Sequence, residues 1–474
     1  MTTNQLNNIT SIFETQNLNL DKLRKSTASE RIKKINLITK YLSISKNEKA
    51  LADAMYKDMK KPYEDVIISE IVPIFSQIKA IKSNLRRWMR HKEVSTPKLL
   101  AGLTSYIQHE PKGRILIISP WNYPFQLSIW PMVYAIAAGN AVIIKPSEVS
   151  SNVSNYIANM ISTLFDPKEV AVIQGGVLET TQLLNLPFDH IHFTGSSQVG
   201  KIIMQAGAKN LSSVTLELGG KSPTIVDKTA NIKSAAQKIA WGKLLNCGQT
   251  CIAPDYLFLH EDIKDKFLDS LEYYIEKLYN NDKSGIQSSS AYGRIINEKH
   301  FDRISALLTD AKNKNAIVHI GGNSDRTDKY ISPTVISEVN NNMNIMNEEI
   351  FGPILPIIIF DNINNLPTQI KRLPKPLSLY IFSNSRKNIN YILDNVSSGG
   401  AMVNDLMIGP VNTNLPFGGV NNSGHGKANG IHGFLDFCNE KGVMKRSWGT
   451  LSMVYPPYIP RIFKIMKWAS KRFS

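Results

Sequence analysis

Short, wholly apolar runs that alternate with helix-compatible segments constrain the fold of this chain more than any other feature. The first group of runs is Ile115–Ile118, Ala141–Ile144, Val170–Ile173 and Ile191–Phe193, with Leu127–Ala138 and Asn152–Leu164 among the intervening segments. Runs without polar alternation indicate strands buried on both faces, and helices between them indicate parallel connections. The pattern predicts a doubly wound α/β domain, a fold that often binds dinucleotides at the carboxyl ends of its strands.

A second α/β unit is predicted after Gly219. Its strand candidates are Thr224–Val226, Tyr256–Leu259, Ile354–Phe360 and Leu379–Phe382, and its helix candidates are Ile232–Leu245, Ile263–Leu278 and Lys299–Ala311. The polar, Asn-rich stretch from Asn313 to Asn344 is expected to be loop-rich and on the surface. A length of 474 residues suits two or three domains, and a site between two packed domains is expected.

The charge balance suggests an anionic partner. Lysine and arginine number 55 against 39 acidic residues, which gives a net charge of +16. Such an excess raises nucleic acid, an anionic membrane or an anionic cofactor as partners. The chain lacks any helix-turn-helix, zinc-finger or RNP-like signature and its basic residues are dispersed, so nucleic acid is not expected.

The cysteine content and the absence of long apolar runs predict a cytoplasmic protein. Three cysteines cannot form a disulfide framework in a chain of this size, which favours a reducing compartment. No run of about 18 apolar residues is present, and the polar start MTTNQLNNIT lacks the apolar core of a secretory signal.

Cys251, in the run NCGQTC, is a candidate nucleophile. A reactive cysteine needs a lowered pKa and open space beside the sulfur, and the small neighbours Gly248 and Thr250 leave room for a ligand. A free cysteine is more commonly buried and inert. Cys247 lies four residues earlier, and spacing alone does not choose between the two.

Glu217 and Asn122 are candidates for proton transfer and oxyanion binding. Glu217 lies within the apolar run of LELGGKSP, where burial would raise its pKa towards that of a general base, although a strand-end glutamate can also reach solvent. Asn122, in ISPWNYP, follows a buried strand and can donate a hydrogen bond to an oxyanion. A simple turn role before Pro124 is equally consistent with that sequence.

Three further motifs lie where a dinucleotide would bind. FTGSSQVG follows a strand and opens a helix, so Gly195, Ser196 and the backbone N–H groups after them are phosphate candidates. IKPSE offers Lys145 and Glu148 for ribose or phosphate. EEIFGP offers Glu349 for ribose and Phe351 for a flat ring. None of these motifs is GxGxxG, and each alone also fits a solvated turn.

The sequence contains neither a metal-ligand pattern nor two common motifs, the serine-nucleophile motif and the phosphate-binding P-loop. His190 and His192 share one face of a strand, but no third ligand is evident, so no metal is expected. G-x-S-x-G and the P-loop are absent, which argues against a serine hydrolase and a P-loop NTPase.

Seven motifs taken together carry a resemblance. ISPWNYP, IKPSE, FTGS, LELGGKSP, GQTC, EEIFGP and LPFGGV occur in this order, and the chain from about Glu30 to about Arg446 resembles the NAD(P)-dependent aldehyde dehydrogenase superfamily. The short N-terminal region, IKPSE, CIAPDY and the YPPY tail resemble its class 3 branch, which includes fatty-aldehyde and coniferyl-aldehyde dehydrogenases. One departure is Ala428-Asn429-Gly430, where many class 3 relatives have Tyr-His-Gly.

The resemblance implies roles for individual residues. It makes Cys251 the nucleophile in preference to Cys247, Glu217 the base and Asn122 the oxyanion donor. The residues it places around NAD or NADP are Trp121, Lys145, Glu148, Gly195, Ser196, Leu218, Glu349 and Phe351. It also explains the missing GxGxxG, because the family's cofactor domain is an atypical Rossmann fold.

The resemblance further implies an α/β fold of two doubly wound domains with a small β extension for oligomerisation. We expect a cofactor domain at residues 1–216 with an oligomerisation hairpin near 96–113, and a catalytic domain at 217–398. Residues 399–450 are expected to return to the cofactor domain and form a homodimer contact, and 451–474 to form a basic tail.

The implied reaction is oxidation of medium- or long-chain aliphatic or aromatic aldehydes to carboxylic acids through a cysteine thioester. Two alternatives are a silent scaffold, which would be expected to have lost Cys251, Glu217 or Asn122, and an acylating enzyme that passes the thioester to coenzyme A. The presence of Glu217 favours hydrolysis.

The tail from Arg461 to Phe473 is predicted to form a basic amphipathic helix. At about 100° per residue, Ile462, Ile465, Met466, Ala469 and Phe473 share one face, and Arg461, Lys464, Lys467, Lys471 and Arg472 lie opposite. Such a helix suits peripheral contact with an anionic membrane, but it also suits packing on a dimer partner or at the substrate entrance.

Overall fold

The computed structural model describes residues 3–450 and 455–471. Its helices are α1 Thr3–Asn17, α2 Leu20–Lys25, α3 Ala28–Leu42, α4 Ser45–Met59, α5 Tyr63–Val66, α6 Val72–Trp88, α7 Gln126–Ala138, α8 Ser151–Leu164, α9 Val177–Asn185, α10 Ser197–Asn210, α11 Ile232–Leu244, α12 Lys264–Tyr279, α13 Glu298–Asn313, α14 Leu366–Ile370, α15 Arg386–Asn395, α16 Gly430–Asp436 and α17 Pro460–Ser470. Its strands are β1 Lys92–Val94, β2 Leu103–Pro111, β3 Arg114–Ile118, β4 Ala141–Lys145, β5 Val170–Val172, β6 His190–Gly195, β7 Ser213–Leu218, β8 Pro223–Val226, β9 Tyr256–His260, β10 Ile317–Ile320, β11 Ser324–Asp325, β12 Tyr330–Ile331, β13 Thr334–Ser337, β14 Ile354–Phe360, β15 Ser378–Phe382, β16 Gly400–Val403, β17 Gly424–His425 and β18 Cys438–Arg446.

A six-stranded sheet in the order β17-β7-β6-β3-β4-β5 forms the first α/β unit. Its strands are parallel except β17, which runs antiparallel to β7. Along β3, Ile115 and Ile117 join one hydrophobic cluster, whereas Leu116 and Ile118 join another on the opposite face. A strand buried on both faces must be apolar at every position, which is why the run carried no alternation.

A seven-stranded sheet in the order β10-β13-β14-β9-β8-β15-β16 forms the second unit, and β10 is its antiparallel edge. The prediction of two doubly wound α/β units is confirmed. The expectation of a loop-rich surface over residues 313–344 was wrong in one part. Strand β13 lies inside the sheet and is fully buried. The prediction missed it because a strand of four residues that includes Thr334 and Ser337 is not recognisable as an apolar run within a polar stretch.

A third, three-stranded sheet joins two distant parts of the chain. Strand β2 pairs with β1 on one side and with β18 on the other, and all the pairings are antiparallel. Strand β1 and most of β18 are exposed. Among the described residues, no helix combines the length and the apolar character needed to cross a bilayer.

The carboxyl ends of β3, β4, β6 and β7 meet at one edge of the six-stranded sheet because these strands are parallel and adjacent. The chain leaves β7 through Gly219 and Gly220 and enters β8 of the second sheet. Ligand sites in doubly wound sheets lie at this edge, so the fold gathers the predicted motifs there.

Candidate active site

The loop that presents Cys251 follows α11 and bends sharply. Asn246, Cys247 and Gly248 have φ values of 53°, 53° and 72°, a left-handed region that suits glycine. A Cβ at Gly248 would lie 2.3 Å from the carbonyl oxygen of Gly352, so a side chain there would clash with the turn that follows Phe351. This glycine therefore lets the EEIFGP turn press directly against the Cys251 loop.

Gln249 fixes that loop from inside and was not predicted as a functional residue. Its buried Nε2 donates to the carbonyls of Asn246 and Arg294, both at 3.0 Å, and its Oε1 accepts from Ile296 N at 3.0 Å. A buried amide with its partners in place holds the backbone beside it in one conformation. Two of its partners, Arg294 and Ile296, lie 45 and 47 residues away along the chain, so no local pattern reveals the role.

Cys251 and Cys247 differ in what surrounds the sulfur. Cys251 is half-buried and lines a cavity, whereas Cys247 is 2% exposed and packs within the core of the second unit. Burial raises the pKa of Cys251 to about 12, and the carboxylates of Glu349 and Glu217 add to the effect. Burial also raises the pKa of Cys247 to about 12. Accessibility, rather than acidity, therefore separates the two thiols.

Asn122 and Tyr123 connect the end of β3 to the Cys251 loop. The buried Asn122 donates from Nδ2 to the carbonyl of Gln249 at 3.0 Å, and Tyr123 shares a 2.7 Å hydrogen bond with Thr250. An amide nitrogen carries two hydrogens, so one N–H of Asn122 remains for another acceptor. The structure thus brings Asn122 beside the nucleophile candidate.

Glu217 lies near the end of β7 and is 7% exposed. Neither of its carboxylate oxygens has a hydrogen-bond partner within the described part of the chain. Burial raises its pKa well above the ordinary value, the negative charge of Asp436 raises it further, and Lys427 acts in the opposite direction. A desolvated carboxylate without partners is suited to accept a proton.

One cavity contains both Cys251 and Glu217. It has an empty volume of about 550 Å³ including its opening. Most of its wall is apolar or aromatic, and the residues that form this wall include Leu127, Trp130, Pro131, Tyr134, Leu377, Phe417 and Phe437. The arrangement can hold an apolar substrate with its reactive group against a thiol and a carboxylate.

The EEIFGP turn lies against the same site and is anchored by a buried ion pair. Lys221 bonds to Asp255 and donates to the carbonyls of Ile345 and Glu348 at 2.8 and 2.9 Å. Asp255 in turn accepts from Ile350 N at 2.9 Å. Sequence reasoning did not identify this pair, whose two members lie 34 residues apart.

Glu349 and Phe351 project from that turn. A Cβ at Gly219 would overlap the Glu349 carboxylate, so the two segments are in close contact. Burial raises the pKa of Glu349 to about 8, with a further contribution from Asp255. Phe351 has its ring centroid 5.4 Å from that of Trp121, with the rings edge to face.

The remaining predicted cofactor residues lie along the same sheet edge. Lys145 ends β4, and its Nζ pairs with Glu148 at 2.8 Å. Gly195 ends β6, and the Ser196 hydroxyl caps α10 by accepting from Val199 N at 3.4 Å. Leu218, also predicted, ends β7 and lines the cavity beside Glu217.

These residues fit a dinucleotide. The 14-residue helix α10 begins at the sheet edge, so its first N–H groups are donors for a diphosphate. Carboxylates at Glu148 and Glu349 can bind ribose hydroxyls. Lys145, Glu148, Gly195 and Ser196 would hold the adenosine and diphosphate, and Glu349, Phe351 and Trp121 the nicotinamide half.

Comparisons with known proteins identify the family of this chain. Residues 3–443 match the Aldehyde dehydrogenase family. The chain is 43% identical to the 4,4'-diaponeurosporen-aldehyde dehydrogenase of Staphylococcus aureus, over 93% of this chain and 94% of that protein. It is 41% identical to aldehyde dehydrogenase family 3 member A2 of Pongo abelii, over 87% of this chain and 84% of that protein.

A solved structure shares the architecture. The substrate-bound state of Staphylococcus aureus AldH superposes with a TM-score of 0.91 at 40% identity, over 97% of this chain and 99% of that one. The chain therefore belongs to the aldehyde dehydrogenase family, within its class 3 branch, and is an NAD(P)-dependent enzyme that oxidises aldehydes.

Proposed function

We propose that this enzyme oxidises medium- or long-chain aliphatic or aromatic aldehydes to carboxylic acids through a thiohemiacetal and a thioester on Cys251. The observation that carries the proposal is the cavity, whose largely apolar wall holds the Cys251 thiol and the unpartnered Glu217 carboxylate together. A thiol, a base and an apolar wall are what such a reaction requires.

The first step joins sulfur to the aldehyde carbon. The raised pKa of Cys251 keeps the thiol neutral until its proton passes to solvent, and the resulting thiolate attacks the aldehyde carbon. As the S–C bond forms, negative charge develops on the aldehyde oxygen. The free N–H of Asn122 and the backbone N–H of Cys251 donate to that oxyanion.

The second step releases the acid. Bound NAD(P)+ supplies the acceptor for the hydride that leaves the thiohemiacetal carbon. Glu217 then takes a proton from water, the water oxygen bonds to the thioester carbon, and the C–S bond breaks with Cys251 leaving as thiolate. Since no residue in the described part of the chain competes for the lone pairs of Glu217, both oxygens are available for water.

The apolar wall supports a hydrophobic substrate. Trp130 and Phe417 stack with a centroid distance of 6.3 Å, and Leu127 and Leu377 line the same cavity. Each buried methylene contributes about 0.8 kcal/mol, so kcat/KM is expected to rise about fourfold per added methylene until the cavity is filled. The 43% identical relative is named for a diaponeurosporen aldehyde, which supports an extended substrate.

A panel of aldehydes of increasing chain length, assayed with NAD+ and NADP+, tests the proposal. Cys251→Ala should form no NAD(P)H from any of them, whereas Cys247→Ala, the matched control, should retain wild-type turnover. Near-normal turnover in Cys251→Ala would falsify the assignment. Adding coenzyme A to the wild type distinguishes hydrolysis of the thioester from its transfer to coenzyme A. Formation of acyl-CoA in place of the free acid would contradict hydrolysis.

We also propose a homodimer built on the three-stranded sheet. The exposed strand β18 of that sheet and the exposed strand β16 of the seven-stranded sheet are edge strands, and no strand among the described residues pairs with their outer sides. Such edges are templates for pairing with another chain.

Finally, we propose that the enzyme is cytoplasmic and that its tail contacts an anionic membrane surface. The helix α17 spans Pro460–Ser470, and Ile465 and Met466, on its predicted apolar face, are 59% and 36% exposed. The predicted members Arg472 and Phe473 lie outside the described residues. An exposed apolar face beside the cations Arg461, Lys464 and Lys467 supports interfacial binding.

A further inference from the structure

The proposed reaction leaves Glu217 holding a proton that it must lose before the next turnover. The apolar wall around Glu217 offers few groups that could accept this proton, and both carboxylate oxygens lack partners among the described residues. The same cavity, however, is also lined by His192, Thr194 and Asp436, so its wall includes polar groups.

A polar ladder continues from Glu217 along one face of the sheet. On β6 and β7 the registered pairs are Thr194 with Glu217, His192 with Thr215, and His190 with Ser213. Alternate residues of a strand share a face, so all six side chains line the same side. The ladder runs from the base towards the opposite edge of the sheet, where Lys112 is partly exposed.

Asp436, at the end of α16, lies across the middle of this ladder. The Thr215 hydroxyl lies 2.7 Å from both of its carboxylate oxygens. Its Oδ2 is 3.5 Å from His190 Nε2 and 3.9 Å from His192 Nδ1. These two ring nitrogens are buried and have no hydrogen-bond partner within residues 3–450 and 455–471, so they face the carboxylate across a short gap.

Lys112 and Ser213 lie on the far side of the cluster, beside His190. Lys112 Nζ lies 3.2 Å from His190 Nδ1 and also donates to the carbonyl of Asp436. The Ser213 hydroxyl lies 2.9 Å from the same ring nitrogen. When Lys112 is a neutral amine, Nδ1 can donate its hydrogen to Nζ while Nε2 accepts from Asp436. The three groups resemble a metal triad in spacing, but the adjacent lysine disfavours a cation.

We propose that Asp436, His192 and His190 form a proton-release path for Glu217 that ends at Lys112. This inference rests on the proposed role of Glu217 as base. The O–H bond of protonated Glu217 breaks, and the proton passes through water in the cavity to the His192–Asp436 pair. Asp436 passes a proton to His190 Nε2, Nδ1 passes its proton to the neutral amine of Lys112, and the resulting ammonium releases a proton to solvent. Since these residues act through Glu217, they are positioning residues.

The charges around the cluster support the direction of transfer. Burial lowers the pKa of His190 to about 4, which keeps it neutral at pH 7, and burial lowers the pKa of Lys112. Burial opposes ionisation of Asp436, but the two imidazoles outweigh it and lower its pKa. The other titratable groups facing the path are Cys438 beside Asp436, and Lys427 and Cys251 beside Glu217.

Asp436→Asn tests the path in the full-length enzyme with saturating aldehyde and NAD(P)+. The first turnover of NAD(P)H should form at the wild-type rate, and later turnovers should slow by about tenfold or more. The acidic limb of the kcat–pH profile should also move to lower pH, because Asp436 no longer raises the pKa of Glu217. Asp394→Asn, an exposed site on α15, makes the same charge change and should leave both unchanged.

His192→Gln provides the second variant, since it interrupts the path but keeps the Asp436 charge. Later turnovers should slow without the pH shift. The amplitude of the first turnover counts the intact active sites. If Asp436→Asn shows no first turnover, that variant has lost its active site, and the test of the path then relies on His192→Gln. Later turnovers at the wild-type rate, in a variant that keeps its first turnover, would overturn the proposed path. A stoichiometric metal ion bound to the wild-type enzyme would also overturn it. Glu217→Gln in parallel separates the two proposals: full steady-state turnover there refutes the base itself.

Discussion

At the scale of single residues, the environment of each thiol matters more than its acidity. Cys251 and Cys247 both have a pKa raised by burial to about 12, yet Cys251 lines the cavity and Cys247 is enclosed by the core. Local spacing could not distinguish them, because both follow the same helix and lie only four residues apart. The motif resemblance favoured Cys251, and the cavity gives a physical reason for that preference.

Glu148 is expected to influence the choice between NAD and NADP. Its carboxylate pairs with Lys145 at 2.8 Å and is about half exposed, so it would repel a 2′-phosphate and occupy the lysine that could bind one. In Glu148→Gln the ratio of kcat/KM for NADP+ to that for NAD+ should rise by roughly fivefold, which corresponds to about 1 kcal/mol. Glu261→Gln, an exposed change outside the cofactor edge, should leave the ratio unchanged.

At the scale of elements, strand positions in both sheets were predictable because burial on two faces leaves a continuous apolar run. Ile354–Phe360 was predicted with the observed bounds, whereas β13 was missed because its four residues include Thr334 and Ser337. The predicted domain boundary between residues 216 and 217 falls inside β7, which pairs with β6 through Leu218. We therefore propose that the cofactor domain extends to Leu218.

Contacts that hold the EEIFGP turn were not predictable, because Lys221, Asp255 and the turn are separated by many residues. Lys221→Met should destabilise the protein by about 3–5 kcal/mol, since it leaves Asp255 buried without its partner. Denaturant unfolding measures this loss. The double variant Lys221→Met, Asp255→Asn should recover part of the stability, and a single variant as stable as the wild type would contradict the anchoring role.

At the scale of the whole molecule, the charge excess is explained in part by the tail. Deleting residues 459–474 should abolish co-sedimentation with anionic liposomes at low salt, and raising the salt should weaken binding of the full chain because interfacial charge is screened. Light scattering should give a dimeric mass for both proteins, since the proposed dimer surface lies elsewhere. Unchanged sedimentation after deletion would refute membrane contact by the tail, and a monomeric full chain would refute the dimer.

The central claim concerns two residues in one cavity, a thiol that carries the acyl group and a carboxylate that removes it. Mass spectrometry of Glu217→Gln after incubation with aldehyde and NAD(P)+ tests this claim most directly. We predict an acyl adduct on the peptide that contains Cys247 and Cys251, absent when Cys251→Ala is added and retained when Cys247→Ala is added. Steady turnover without an adduct, or an adduct that disappears with Cys247→Ala, would contradict the account.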